Sequence, residues 1–339
     1  MNTPVARRVL SAAAAAALGL SLTACSALST ESSEPSGSDA PKDASGTLSV
    51  AVSFYPIQYL AETIGGDHVS VTSLTPTDVE PHDYDLSGKE VISTLEGSSL
   101  VAYVAGFQPS LDKAVTQISG PTVVDLSGEV DLQHHEGVED EDEHGEASDG
   151  TTEKATGEAG HEGHDHDAGS LDPHFWLDPV RMKSAATAVE EALAAADPDN
   201  ADDYKANLDS LTTTLDGLDS SYQGGLTQCE RKTFITSHAA FGYLADRYRL
   251  TQVSISGIDP ETEPSAADIA AAKKAVEDTG STTIFTEELV SPTTAQTIAA
   301  ETGAGTDVLS PLESKPERGD YTDAMTSNLE RLKGALVCQ

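Results

Sequence analysis

Residues 204–222 read YKANLDSLTTTLDGLDSSY. Tyr204, Leu208, Leu211, Leu215, Leu218 and Tyr222 follow one another at steps of 4, 3, 4, 3 and 4. Those steps keep returning to one face of a helix with 3.6 residues per turn. The segment therefore predicts a long helix with one continuous apolar stripe. Such a stripe must be covered by other elements, and the segments on either side of it decide the fold.

N-terminal to it, strand-like runs at 48–53, 69–74, 100–105 and 122–126 alternate with helix-like runs at 57–64, 87–96 and 110–118. C-terminal to it the layout repeats, with strands expected at 233–237, 251–256, 282–286 and 307–309 and helices at 239–248, 265–278, 293–301 and 320–336. Alternating strands and helices imply parallel sheets covered on both faces. Two such sets predict an α/β protein of two doubly wound lobes, each with a mostly parallel sheet of about four strands. A further helix is expected over 179–196, with Asp178 as its N-cap and Pro179 in its first turn. The expected division is an N-terminal lobe at 47–199, a connecting helix at 200–228 and a C-terminal lobe at 229–339. A helix is a stiffer connector than extended strands, so small lobe movements are expected.

The remaining segments do not belong to this pattern. Arg7 and Arg8 precede an apolar run that is too short to span a bilayer and ends in Leu22-Thr23-Ala24-Cys25. Residues 1–24 resemble a lipoprotein signal, with Cys25 as the acylated first residue of the mature chain, and 25–46 read as a flexible tether. No later segment is apolar enough to span a membrane, so the lipid would be the anchor. Residues 129–169 are dense in Asp and Glu, almost free of apolar side chains, and carry His134, His135, His144, His161, His164 and His166. A segment of that composition cannot bury enough surface to offset its ordering entropy and is expected to be a disordered loop. Its histidines read as weak auxiliary metal ligands. The formal net charge of -38 argues against a nucleic-acid partner, which needs a basic surface. Export places Cys229 and Cys338 in an oxidising setting, where a disulfide between them is expected, two buried thiols being the alternative.

Of the ten histidines, three have structured surroundings and loop or strand-exit positions; His238 directly follows an expected strand and His82 lies in the loop after one, where open α/β sheets bind ligands. His82 lies in EPHDYD (80–85), His174 in DPHFWLDP (172–179) and His238 in TSHAAFGY (236–243). His68, in a Gly-Gly-Asp-His turn, reads as a surface residue. Any one of the three alone is more often a satisfied polar side chain than a ligand. Together they would converge on a cleft between the lobes.

The segments PHDYD, DPHFWLDP and SHAAFGYLA resemble those of the zinc-binding solute-binding lipoproteins of bacterial ABC importers, in order, in spacing and in the His-rich acidic insertion before the second. The resemblance runs from about Thr47 onward. It implies two α/β lobes joined by a rigid helix, zinc-binding imidazoles at His82, His174 and His238, and a permease and ATPase subunit as partners. A fourth ligand is expected to complete a tetrahedron. In the stretch LSPLES (309–314) Ser310 stands where some members carry Asp, and Glu313 fits a second pattern with Glu after Pro-Leu. Glu313 is favoured, with Glu80 as its rival and water third. Three imidazoles and a carboxylate suit Zn(II) as the transported ligand. Asp83, Asp85 and Asp178 are the expected acceptors for the other imidazole N–H groups. The chain is read as an extracytoplasmic monomer and not as an enzyme. The alternatives are a zinc-dependent hydrolase, for which HExxH is missing, and a surface adhesin with structural zinc.

Overall fold

The computed structural model describes residues 46–135 and 171–339. The expected signal, the tether up to residue 45, Cys25, and the loop histidines His144, His161, His164 and His166 lie outside the described residues.

The N-terminal half contains strands β1 (Leu48–Val52), β2 (Val69–Ser73), β3 (Leu100–Tyr103) and β4 (Thr122–Asp125), separated by helices α1 (Tyr55–Gly65), α2 (Lys89–Glu96) and α3 (Pro109–Val115). All four strands pair in parallel, in the order β2-β1-β3-β4. The helices α4 (Pro179–Ala196) and α5 (Ala201–Leu226) lead to the C-terminal half. There β5 (Thr233–Thr236), β6 (Thr251–Ser254), β7 (Thr283–Thr286) and β8 (Gly305–Val308) form a second parallel sheet in the order β6-β5-β7-β8. Around it lie α6 (Gly242–Tyr248), α7 (Ala266–Thr279), α8 (Thr293–Thr302) and α9 (Tyr321–Leu336). Each sheet reverses its winding once, between β1 and β3 and between β5 and β7. That reversal leaves a crevice beyond the carboxyl ends of those strands.

Helix α5 bears out the stripe: Tyr204, Leu208, Leu211, Leu215, Leu218 and Tyr222 are all buried. At 1.5 Å per residue its 26 residues span about 39 Å, enough to lie along both lobes. It packs against α1 and α4 on one side of the molecule and α9 on the other. The apolar cluster it completes runs from Leu48 and Val50 of β1 to Phe234 of β5 and Leu309 beyond β8. Burying each leucine of the stripe contributes about 1.5–3 kcal/mol. Polar bonds tie the lobes further. Trp176 Nε1 donates to Pro311 O at 2.7 Å, Tyr321 Oη to Trp176 O at 2.5 Å, and the Asp78 N–H to Ser314 Oγ at 2.8 Å.

Asp178 caps α4, accepting the Val180 N–H at 2.8 Å, with Pro179 in the first turn where its missing N–H costs nothing. Cys229, just beyond α5, is disulfide-bonded to Cys338, just beyond α9. Two of the segments that differ from expectation bear on the site. Helix α6 begins at Gly242 rather than at 239: the His238 carbonyl, which would accept the first intrahelical bond, instead accepts from Thr236 Oγ1 at 2.7 Å and Gln252 Nε2 at 2.9 Å. Residues 129–135, expected to belong to the disordered loop, are held in place. Val130 is buried, and Arg181 donates to the carbonyls of Val130 and Asp131. No helix among the described residues is long and apolar enough to cross a membrane.

Candidate metal centre

His82, His174, His238 and Glu313 come together in the crevice, all buried, with one potential ligand atom from each within 4.8 Å of the others. His82 sits in the loop after β2, and His174 leads into the short 3₁₀ turn Phe175–Leu177 ahead of α4. His238 and Glu313 follow β5 and β8 of the other lobe. The separate strand ends explain why residues so distant in sequence meet here.

The loop of His82 is held from below by Gln108, whose Nε2 donates to Pro81 O at 2.9 Å and to Thr75 Oγ1 at 3.0 Å. The His82 ring packs edge-on against Phe107, with centroids 4.6 Å apart. His238 is fixed through its carbonyl, which accepts from Thr236 Oγ1 at 2.7 Å and Gln252 Nε2 at 2.9 Å.

Glu313 Oε1 lies 3.3 Å from His82 Nε2, 3.2 Å from His174 Nε2 and 3.6 Å from His238 Nε2. His174 Nε2 is 3.3 Å from His82 Nε2 and 3.4 Å from His238 Nε2. A tetrahedral zinc site with bonds of 2.0–2.1 Å has ligand-to-ligand edges of about 3.3–3.4 Å. These five edges, 3.2–3.6 Å, lie close to that spacing.

The outward nitrogens are also set. His174 Nδ1 donates to Asp172 Oδ1 at 2.7 Å, and the His174 backbone N–H donates to the same oxygen at 2.9 Å. His238 Nδ1 stands 2.6 Å from Glu287 Oε2, while its backbone N–H donates to Glu287 Oε1 at 3.2 Å. A carboxylate accepts, so Nδ1 of His174 carries a proton, and Glu287 stands beside Nδ1 of His238 with the same charge; a neutral ring with its proton on Nδ1 turns its Nε2 lone pair to the centre. This corrects the expected acceptors. Asp178 caps α4 and lies 3.2 Å from Arg247, Asp85 accepts the Ser87 N–H at 2.9 Å, and Asp83 is exposed. Asp172 could have been found from its position two residues before His174. Glu287 directly follows β7, the strand paired with β5, and so occupies the strand end next to that of His238.

Burial disfavours the imidazolium, and at His82 it wins, lowering the pKa. At His174 burial is outweighed by Asp172 and Glu313, and the pKa is raised. At His238 it is outweighed by Glu287 and Glu313, and the pKa is raised well above the ordinary value. Burial also opposes the charge of Glu313, but the three imidazoles outweigh it and hold the carboxyl well below its usual range. Glu80, the rival ligand, instead accepts the His82 backbone N–H at 3.1 Å from both oxygens. Burial and the charge of Glu313 push it up to about 7. Clustered carboxylates and inward lone pairs make this crevice a cation site, and without a cation protons occupy it.

The remaining described histidines are elsewhere. His68 Nε2 pairs with Asp203 of α5 at 2.9 Å, and His134 is exposed. His135 is held by two carboxylates. Its Nδ1 lies 2.7 Å from Asp172 Oδ2, and its Nε2 lies 3.0 Å from Asp246 Oδ2 of α6.

Residues 50–335 match the family described as zinc-uptake complex component A, periplasmic, or ZnuA. The chain is similar to the zinc-binding lipoprotein AdcA of Streptococcus pneumoniae, with 33% identity over 86% of this chain and 56% of the relative, so it spans about half that relative's length. It is 34% identical to the high-affinity zinc uptake system protein ZnuA of Bacillus subtilis, over 95% of this chain and 96% of the relative. The Zn(II)-bound ZnuA-like domain of Streptococcus pneumoniae AdcA shares its fold with a TM-score of 0.67 and 28% identity, covering 86% of this chain and 99% of that domain. The chain belongs to the family of the zinc-uptake complex component A, the ZnuA family.

Proposed function

We propose that the protein captures Zn(II) outside the cytoplasm with His82, His174, His238 and Glu313 and delivers it to an ABC-type importer, whose permease and ATPase subunits are its partners. The observation that carries this reading is the spacing of the donor atoms, 3.2–3.6 Å from Glu313 Oε1 to each imidazole Nε2, close to the edge length of a tetrahedral zinc site. Four protein donors make closed coordination, suited to holding a cargo ion. A catalytic zinc keeps one position open to water, so the hydrolase reading is not favoured, and neither is the adhesin reading in a zinc-uptake family. The zinc-uptake names of the relatives support the cargo and the importer.

Lipid anchorage at Cys25 after removal of residues 1–24, a monomeric state, and weak zinc capture by His134, His144, His161, His164 and His166 complete the proposal. Competition of Zn(II) and Mn(II) against a chromophoric chelator tests it. Zinc is expected to bind far more tightly, because three imidazoles suit zinc better than manganese. Manganese binding as tight as zinc would overturn the reading.

A further inference from the structure

The segment before residue 136 returns to the metal centre. The Asp172 N–H donates to Gln133 O at 2.8 Å, so the chain on either side of 136–170 is joined at its base. The Gln133 N–H donates to Tyr243 Oη at 2.7 Å, and that hydroxyl donates to Asp172 O at 2.7 Å. Tyr243 belongs to α6 of the other lobe, so this base is fastened across the crevice.

His135 completes the fastening. Its side chain is only 14% exposed and bridges Asp172 Oδ2 at 2.7 Å and Asp246 Oδ2 at 3.0 Å. The ring stands perpendicular to Tyr243, with centroids 4.4 Å apart. It also lies flat on Gly242, where an added Cβ would come within 2.4 Å of His135 Cγ. The other oxygen of the same carboxylate, Asp172 Oδ1, holds His174 Nδ1.

We propose that His135 is a positioning residue of the metal centre: docked on Gly242 between Asp172 and Asp246, it holds the carboxylate that orients His174 and ties the base of the His-rich segment to the second lobe. The proposal rests on His174 being a zinc ligand. Both nitrogens of His135 are used in the dock, so ligation of a loop metal by His135 and orientation of Asp172 exclude each other. Loss of the dock frees Asp172 to turn, and the affinity of the centre falls.

The test uses the full-length chain, with Zn(II) affinity from chelator competition and the visible ligand-field spectrum of the Co(II) form. Partners that directly hold a metal-bound histidine are worth roughly 10–100-fold in affinity, and His135 acts one bond further out, so His135→Ala should weaken zinc by about 3–10-fold and shift the Co(II) spectrum. His135→Asn, whose amide N–H can replace Nδ1–H toward Asp172, should recover most of both. Gly242→Ala, which blocks the dock sterically, should reproduce His135→Ala, and His68→Ala should change neither reading. Wild-type affinity and spectrum in His135→Ala would overturn the proposal, including when its metal-free form melts earlier, since that outcome marks a purely structural role. If His174→Ala also keeps wild-type affinity, the ligand assignment itself fails. If His174→Ala loses zinc while His135→Ala does not, only the present inference fails.

Discussion

Glu287 Oε2 lies 2.6 Å from His238 Nδ1, at the ends of the paired strands β7 and β5. Glu287→Gln keeps the shape of the side chain but removes the charge that fixes the proton on Nδ1. Zinc affinity is expected to fall roughly 10–100-fold, as for other carboxylates that support metal-bound histidines. Chelator competition reads this directly, and an unchanged affinity would remove Glu287 from the site.

The stabilisation that zinc confers should grow with pH. His174 and His238 have raised pKa values in the metal-free protein, so their ion pairs stabilise the fold below the unfolded value of about 6.5 and fade as pH rises through the raised values. Glu80, pushed up to about 7, removes stability as pH rises between about 4.5 and 7. Glu313, with a lowered pKa, acts in the opposite direction and loses its contribution only in acid, below the ordinary carboxylate range. Zinc needs the imidazoles neutral and replaces their protons. Melting curves with and without zinc between pH 5.5 and 8 should therefore show a gap that widens with pH, together with proton release at neutral pH. A gap independent of pH would contradict the site's electrostatics.

Leu215→Ala opens a cavity at the middle of the α5 stripe, where the side chain is fully buried. The expected loss is about 2–5 kcal/mol in chemical denaturation. Because the stripe is shared by both lobes through a single apolar cluster, the transition should stay cooperative rather than split in two.

Cys338→Ser removes the bond that closes the C-terminal lobe across 109 residues of sequence. It should destabilise the protein by roughly 2–5 kcal/mol, with little effect on zinc affinity, since the disulfide joins the ends of α5 and α9 away from the four donors.

Much of this architecture was legible in the sequence because it is periodic or local. The 4-3 spacing of the α5 stripe, Pro179 after Asp178, and the alternation of strands and helices all survive without tertiary context. His82 and His238 stood out through their positions after strands, and all three histidines through the motif resemblance. Glu287 did not, because its reach to an imidazole depends on the pairing of β5 with β7, whereas Asp172 is legible from its place two residues before His174. The late start of α6 has a similar cause: Thr236 and the more distant Gln252 take the His238 carbonyl that a helix from 239 would use. The ordering of His135 depends on Gly242, which leaves room for its ring.

The proposed role of His82, His174, His238 and Glu313 is to hold the zinc. It is tested most directly by the Zn(II) affinity of His82→Ala, His174→Ala, His238→Ala and Glu313→Ala beside the unaltered chain. If roughly 10–16 kcal/mol of binding is shared among four ligands, each loss should weaken zinc on the order of 100-fold or more. Affinity unchanged in any of the three histidine variants would contradict the claim.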